Sequence, residues 1–362
     1  MDLKMGIPLS RMFVDEEMRK IAIDVLNSHK FIKGGNLDAL EKDFAAFCGA
    51  KHGVGVSSGT TALYTAFWAL GVGQGDEIIA PSHSFIATVN PAVLLGAKPV
   101  FVEIDEKTFN IDAKAIEKKI TKKTKAIVPV HLYGQPADMD EITEIAEKRG
   151  IAVIEDACQA HDSEYKGKRV GSLGRIACFS FFPSKNMTVC GDGGMITTND
   201  AELAEKMAMF RDQGRKDKYT HEMVGMNFRL SELHAALGRV QLKHLPEWTQ
   251  KRRKHAALYK QLINPGKATL PFESQDSKHV FHMFVIRVKN REKLARDLKS
   301  QGIDTGVHYP IPIHLQPAMK EFYSESLPVT EKIAKEILSI PMSPLLTEDE
   351  VRFVSEKINA LA

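Results

Sequence analysis

The chain has 362 residues, with 49 Lys+Arg against 46 Asp+Glu for a formal charge of +3, and 43% hydrophobic and 26% charged residues. At roughly 150 residues per domain this length predicts two domains, and the near balance of charge excludes a protein that binds by neutralising nucleic-acid phosphates or a membrane surface. The same proportions exclude disordered and fibrous classes.

In chain order, the opening MDLKMGIPLSRMF lacks a basic segment followed by an apolar core, which predicts no secretory signal and a cytoplasmic protein. From Asp15 to about Gly214 helical periodicity alternates with short apolar runs. The predicted helices are Glu16 to Ser28, Leu37 to Cys48, Thr60 to Leu70, Ala113 to Ile120 and Met139 to Lys148. The predicted strands are Gly53 to Val56, Glu77 to Ala80, Pro99 to Ile104, Ala126 to Val130, Ala152 to Ile154, Ala177 to Phe181 and Gly194 to Thr197. These runs are almost continuously apolar, as in strands covered on both faces of a largely parallel sheet. Gly71 and Gly150 close two of the helices as C-caps. The longest candidate for a membrane helix, Pro91 to Val102, carries Lys98 and two prolines and falls short of the ~18 apolar residues required.

After Leu230 the rhythm changes to one long helix, Ser231 to about Leu262, with a break or kink expected at Pro246. The polar stretch Asn264 to Lys278 is expected to be a mobile linker. A strand in His282 to Val288, a helix over Arg291 to Ser300, the loop HYPIPIHLQP and two closing helices complete a small α+β unit. The expected division is a large α/β domain at 15–245 and a small domain at 246–362, with residues 1–14 packing on the latter. Cys48, Cys158, Cys178 and Cys190 include no CxxC pair, so they are expected as reduced thiols with no structural zinc and no metal.

Chemistry concentrates in CFSFFPSKNMTVCGDGGMITT, where a strand delivers Ser180 and then Lys185. A lysine among Phe, Pro and Met is partly desolvated, which favours the free amine that attacks carbonyls. The competing reading is a solvated surface lysine. IAVIEDACQAH ends a strand on Glu155 and Asp156, and ligands of parallel sheets sit at the carboxyl ends of strands. A carboxylate there either holds a protonated pyridine nitrogen or caps the following turn. In VSSGTTALYTAF, a strand turns through Ser58, Gly59, Thr60 and Thr61 into a helix, which is an anion site or an ordinary N-cap. Cys190 has no base beside it in sequence and is read as packing near the site. No GxGxxG follows the first strand, which removes the main support for a dinucleotide enzyme.

The ordered set SSGTTAL, PSHSFIATVNPAVLLGAKPVFVEID, HLYGQPADMD, VIEDACQAH, FSFFPSKN, GDGGMITTND, MNFRLSELHAA and HYPIPIHLQP resembles the DegT/DnrJ/EryC1/StrS family of pyridoxal-phosphate-dependent nucleotide-sugar aminotransferases over nearly the whole chain. The resemblance implies the fold-type I transferase architecture, with a mostly parallel seven-stranded sheet, and pyridoxal 5'-phosphate as cofactor. It implies that Lys185 bonds the cofactor and then moves a proton, that Asp156 partners the pyridine nitrogen and that Gln159 lies near the phenolic oxygen. Phe85 would stack on the ring, and Gly59, Thr60 and Ser180 would hold the phosphate. Asn227 matches the position that reaches the neighbouring subunit's phosphate, which implies a homodimer with shared active sites. Arg229, His308, Tyr309 and His314 match positions near the sugar, with pairing to Glu232 an alternative for Arg229.

Lysine at position 185, where dehydratase relatives have histidine, favours transamination of a nucleotide-linked keto sugar with an amino acid donor, L-glutamate. The loop HYPIPIHLQP resembles relatives acting at C3 more than those acting at C4. The product would be an amino sugar for polysaccharide or glycan biosynthesis. Asp162 stands where many relatives have Gly, Arg175 where Asp is common and Phe228 where Tyr is frequent. A dehydratase or lyase, and a non-enzymatic ligand sensor, are the competing functions. The sensor would need a DNA-binding module with a basic face, for which no room is expected before Asp15.

Overall fold

The structure, a computed structural model, describes residues 6–362. Five strands, β1 (His52–Val56), β2 (Glu77–Pro81), β3 (Lys98–Val102), β4 (Thr124–Ile127) and β5 (Ala152–Asp156), are followed by a short hairpin of β6 (Glu164–Tyr165) and β7 (Lys168–Arg169). Strands β8 (Ile176–Ser180) and β9 (Gly194–Thr198) complete a seven-stranded sheet in the order β1-β9-β8-β5-β4-β2-β3. Only β9 runs against its neighbours, β1 and β8.

Alternation along each strand sends side chains to opposite faces. Ile154, Ile176, Cys178 and Ile196 join a buried cluster with Ala62, Leu63, Ala66 and Phe67 of helix α3. On the other face Ala177, Phe179 and Met195 pack with Leu37, Leu40 and Phe44, while Val153 packs with Ile142 and Ala146. The covering helices include α1 (Glu16–Ser28), α2 (Gly35–Cys48), α3 (Gly59–Ala69), the short α4 (Asn90–Leu94) and α5 (Ala113–Glu117), α6 (Met139–Arg149) and α7 (Ala201–Phe210). Gly150 takes φ 65° as the C-cap of α6, and Gly71 takes φ 71° just past α3, the left-handed conformation that glycine adopts without Cβ strain.

Helix α8 (Glu232–Leu262) runs from the sheet to the C-terminal region as one helix, so of the break or kink expected at Pro246 the break does not occur. Pro246 removes one donor, but Leu242, Leu245, Trp248 and Thr249 around it are all buried, and that packing holds the helix through the missing bond. The expected mobile linker is pinned instead. Thr269 exchanges backbone bonds with Arg287, and Ser277–Lys278 form β10 against β6.

Beyond it lie β11 (Phe284–Arg287), α9 (Arg291–Ser300), α10 (Pro328–Glu336), β12 (Ile337–Ile340) and α11 (Glu348–Leu361). Strands β11 and β12 pair antiparallel, and their Phe284, Ile286, Leu338 and Ile340 share a core with Tyr259, Leu298, Val354 and Ile358. Ile7 joins that core, and its backbone bonds Gly302 at 2.7 Å and Asp304 at 2.9 Å. Of the N-terminal segment, residues 1–5 lie outside the described residues. Among the described residues no helix is long and apolar enough to cross a membrane.

Candidate active site

The carboxyl ends of β5 and β8 open onto a cavity of about 380 Å³, closed by the start of α3 and by the loops carrying Phe85 and Tyr309. Of the predicted site residues, it is lined by Gly59, Thr60, Phe85, Asp156, Gln159 and Ser180, together with Lys185, His308 and Tyr309. Lys185 follows β8 in a turn whose Lys185 N–H donates to the Phe182 carbonyl at 2.8 Å. Its side chain is half-buried, and desolvation lowers its pKa, opposed by Cys158 and by the Asp156 carboxylate. Asp156 ends β5 almost fully buried. One carboxylate oxygen accepts from the Thr88 hydroxyl at 2.7 Å and the other from the Cys158 N–H at 3.2 Å.

At the start of α3, Ser58 and Thr61 form a reciprocal capping box. A Cβ on Gly59 would stand 2.7 Å from Ser180 Cβ, so only glycine lets this helix end approach the tip of β8. Across the cavity, Gln159 Oε1 accepts from the Tyr133 N–H at 2.8 Å, and Gln159 Nε2 donates to the Tyr309 hydroxyl at 3.1 Å. The Tyr309 and Phe85 rings lie 5.6 Å apart. His308 Nδ1 meets the Ser339 hydroxyl at 2.9 Å.

Three predicted residues lie outside this cavity. His314 is buried behind it with both ring nitrogens engaged, Nδ1 by Ser82 Oγ at 2.6 Å and Nε2 by Glu331 at 3.3 Å. Its expected place was near the sugar, and it does not line the cavity of this chain. Arg229 pairs with Asp212 at 2.6 Å, and not with Glu232. The Glu232 carboxylate is occupied by the N–H groups of Gly34, Asn36 and Leu37 at the start of α2. Asn227 is exposed beside Asp212, away from this chain's own cavity.

Sequence reasoning missed Thr88, Cys158 and Asp192. Thr88 and Cys158 bind the Asp156 carboxylate, and Asp192 lines the cavity mouth. The visible signal for Thr88 was a single hydroxyl within the apolar run FIATV. Cys190, expected to pack, is exposed. Asp162 sits at φ 68°, which explains why glycine suits this position, and its carboxylate accepts from Arg169 at 2.9 Å. Arg175 pairs with Asp200 on the surface, and Phe228 meets Tyr64 edge-on at 5.7 Å, so neither reaches the cavity. Among the described residues no cluster of His, Cys, Asp and Glu could hold a metal ion.

Burial holds three histidines around the site in the neutral form. His83 is lowered to about 4, His161 to about 3 and His308 to about 4, with desolvation the main cause in each. An unfolded histidine takes up its proton near 6.5, so below that pH the unfolded chain binds more protons than the folded one. Stability is therefore expected to be full above about pH 6.5 and to fall as pH drops towards about 4. Thermal melts from pH 7.5 to 5 should show a declining Tm, and a His83→Phe variant should show a shallower decline. Equal slopes for the two proteins would refute the assignment to His83.

A family model described as the DegT/DnrJ/EryC1/StrS aminotransferase family matches residues 13–359. The chain belongs to this aminotransferase family. Among its relatives, a "pleiotropic regulatory protein" of Geobacillus stearothermophilus is 49% identical, covering 94% of this chain and 93% of the relative. The dTDP-3-amino-3,6-dideoxy-alpha-D-galactopyranose transaminase of Aneurinibacillus thermoaerophilus is 47% identical over 95% of both chains. S. venezuelae DesV, solved in complex with a ketimine intermediate, superposes with a TM-score of 0.95 at 40% identity over 98% of both chains. The aminotransferase thus has the fold-type I architecture, with the cavity at the strand ends of its seven-stranded sheet.

Proposed function

We propose that this chain transfers an amino group from L-glutamate to the keto carbon of a 3-keto sugar linked to UDP or dTDP, using pyridoxal 5'-phosphate. The observation that carries the reading is the meeting of a desolvated Lys185 with a buried, hydrogen-bonded Asp156 in one cavity at the strand ends.

The residues present fit that cofactor. Backbone N–H groups of Gly59 and Thr60 at the start of α3, with the Ser180 hydroxyl, offer a phosphate cradle beside the helix dipole. Asp156 supplies the buried carboxylate that a protonated pyridine nitrogen requires, Gln159 stands for the phenolic oxygen, and Phe85 offers a stacking face. When bound, the group supplies an electron sink for the carbon that loses its proton. Lys185 would hold the cofactor between turnovers and, as a free amine at Nζ, would accept and return the proton of the substrate carbon. Desolvation lowers the lysine's pKa, which favours the free amine relative to an exposed lysine. His308 and Tyr309 stand on the sugar side.

Asn227 is exposed and lies outside its own chain's cavity, which supports the reading that it reaches the phosphate of a second copy in a homodimer. Arg229, held by Asp212, would serve the sugar end from there. The preference for C3 rests on the HYPIPIHLQP loop and on the relative named for a 3-amino sugar. The product would be an amino sugar for polysaccharide or glycan assembly in the cytoplasm.

A panel of 3-keto and 4-keto nucleotide sugars, with glutamate or glutamine as donor and release of the 2-oxo acid as readout, tests the reading. The 3-keto substrates with glutamate are expected to turn over fastest. Equal rates at both keto positions would defeat the C3 assignment, and ammonia release without a keto sugar would indicate a lyase.

A further inference from the structure

The cavity lining holds one lysine and two acidic side chains: Lys185, Asp156 and Asp192. The first two are absorbed by the chemistry proposed above. Asp192 is exposed at the mouth, and among the described residues its carboxylate has neither an ion-pair nor a hydrogen-bond partner. His234 at the start of α8 stands beside this turn, and burial lowers its pKa while the Asp192 charge opposes that shift.

The turn that carries Asp192 is rigidly placed. The Gly193 carbonyl accepts from the Phe181 N–H at 2.8 Å, and a Cβ on Gly194 would stand 2.4 Å from the Ser58 carbonyl. The backbone that carries the carboxylate is therefore anchored to both β8 and the N-terminus of α3. A free carboxylate beside an anion cradle repels phosphates and the carboxylates of glutamate. It instead accepts strong, charge-assisted hydrogen bonds from hydroxyl groups.

We propose that Asp192 is a specificity-determining residue that accepts hydrogen bonds from hydroxyls of the sugar ring and so orients the keto carbon. This inference rests on the keto-sugar reading above. It assigns to Asp192 the neutral, hydroxyl-bearing part of the substrate and leaves the nucleotide diphosphate and the amino donor to other groups.

Asp192→Asn and Asp192→Ala are expected to form the yellow holoenzyme and to be aminated by glutamate as the wild type is, followed by absorbance in the absence of sugar. With a keto sugar, kcat/KM is expected to fall roughly 10- to 100-fold in the Ala variant, the scale of a lost hydrogen bond to a charged group, and to fall less in the Asn variant. Unchanged kcat/KM in both variants would overturn the inference and leave Asp192 a solvated surface group. Equal losses in the glutamate step and the sugar step would overturn it as well, because Asp192 would then act on Lys185 or the cofactor. A wild-type protein that takes nitrogen from glutamate but passes it to no keto sugar would instead defeat the substrate reading itself.

Discussion

A Lys185→Ala variant is expected to release 2-oxo acid from glutamate and a keto sugar at least roughly 10³-fold more slowly than the wild type, the scale of a lost proton-transfer group that also holds the cofactor. The lysine is desolvated beside Asp156 and Cys158, so its removal relieves the desolvation of a polar side chain in the cavity. Thermal stability is accordingly expected to hold or rise while activity collapses. Near wild-type amination by the variant would remove Lys185 from the reaction.

The second large effect is expected at Asp156. Asparagine keeps the size of the side chain and can still accept from the Thr88 hydroxyl, but it carries no charge to stabilise a protonated ring nitrogen. Loss of one such fixed electrostatic group typically lowers kcat roughly 10²- to 10³-fold, and we expect Asp156→Asn to fall in that range with a near-native melting temperature. The measurement is kcat at saturating glutamate and keto sugar. A variant within about threefold of wild type would mean that Asp156 serves only to cap its turn.

These two residues were legible in the sequence because strand ends and apolar runs announce themselves locally. The runs AVIED and IACFS are largely buried; Asp156 is the last residue of the first, and Lys185 lies in the turn that follows the second. Gly59 was legible for a similar reason, since a strand-turn-helix signal marks a helix start. Thr88 and Cys158 were not, because their meaning comes from distance in space: Thr88 is 68 positions from the carboxylate it binds. HYPIPIHLQP places three polar rings within seven residues, and only the fold decides that His314 is the one that turns inward to Ser82 and Glu331. Pro246 misled through local propensity, which buried packing on α8 overrides. Strand β12 escaped notice because a four-residue apolar run between helices carries no period of its own.

The most direct test of the central claim, that this cavity binds pyridoxal phosphate through Lys185 and accepts nitrogen from an amino donor, is an absorbance spectrum of the cofactor-loaded protein before and after addition of glutamate. The account predicts a yellow visible band that gives way to a near-ultraviolet band as the cofactor takes up the amino group, and no such yellow band in Lys185→Ala. A protein that stays colourless after incubation with excess pyridoxal phosphate and is unchanged by glutamate would contradict it.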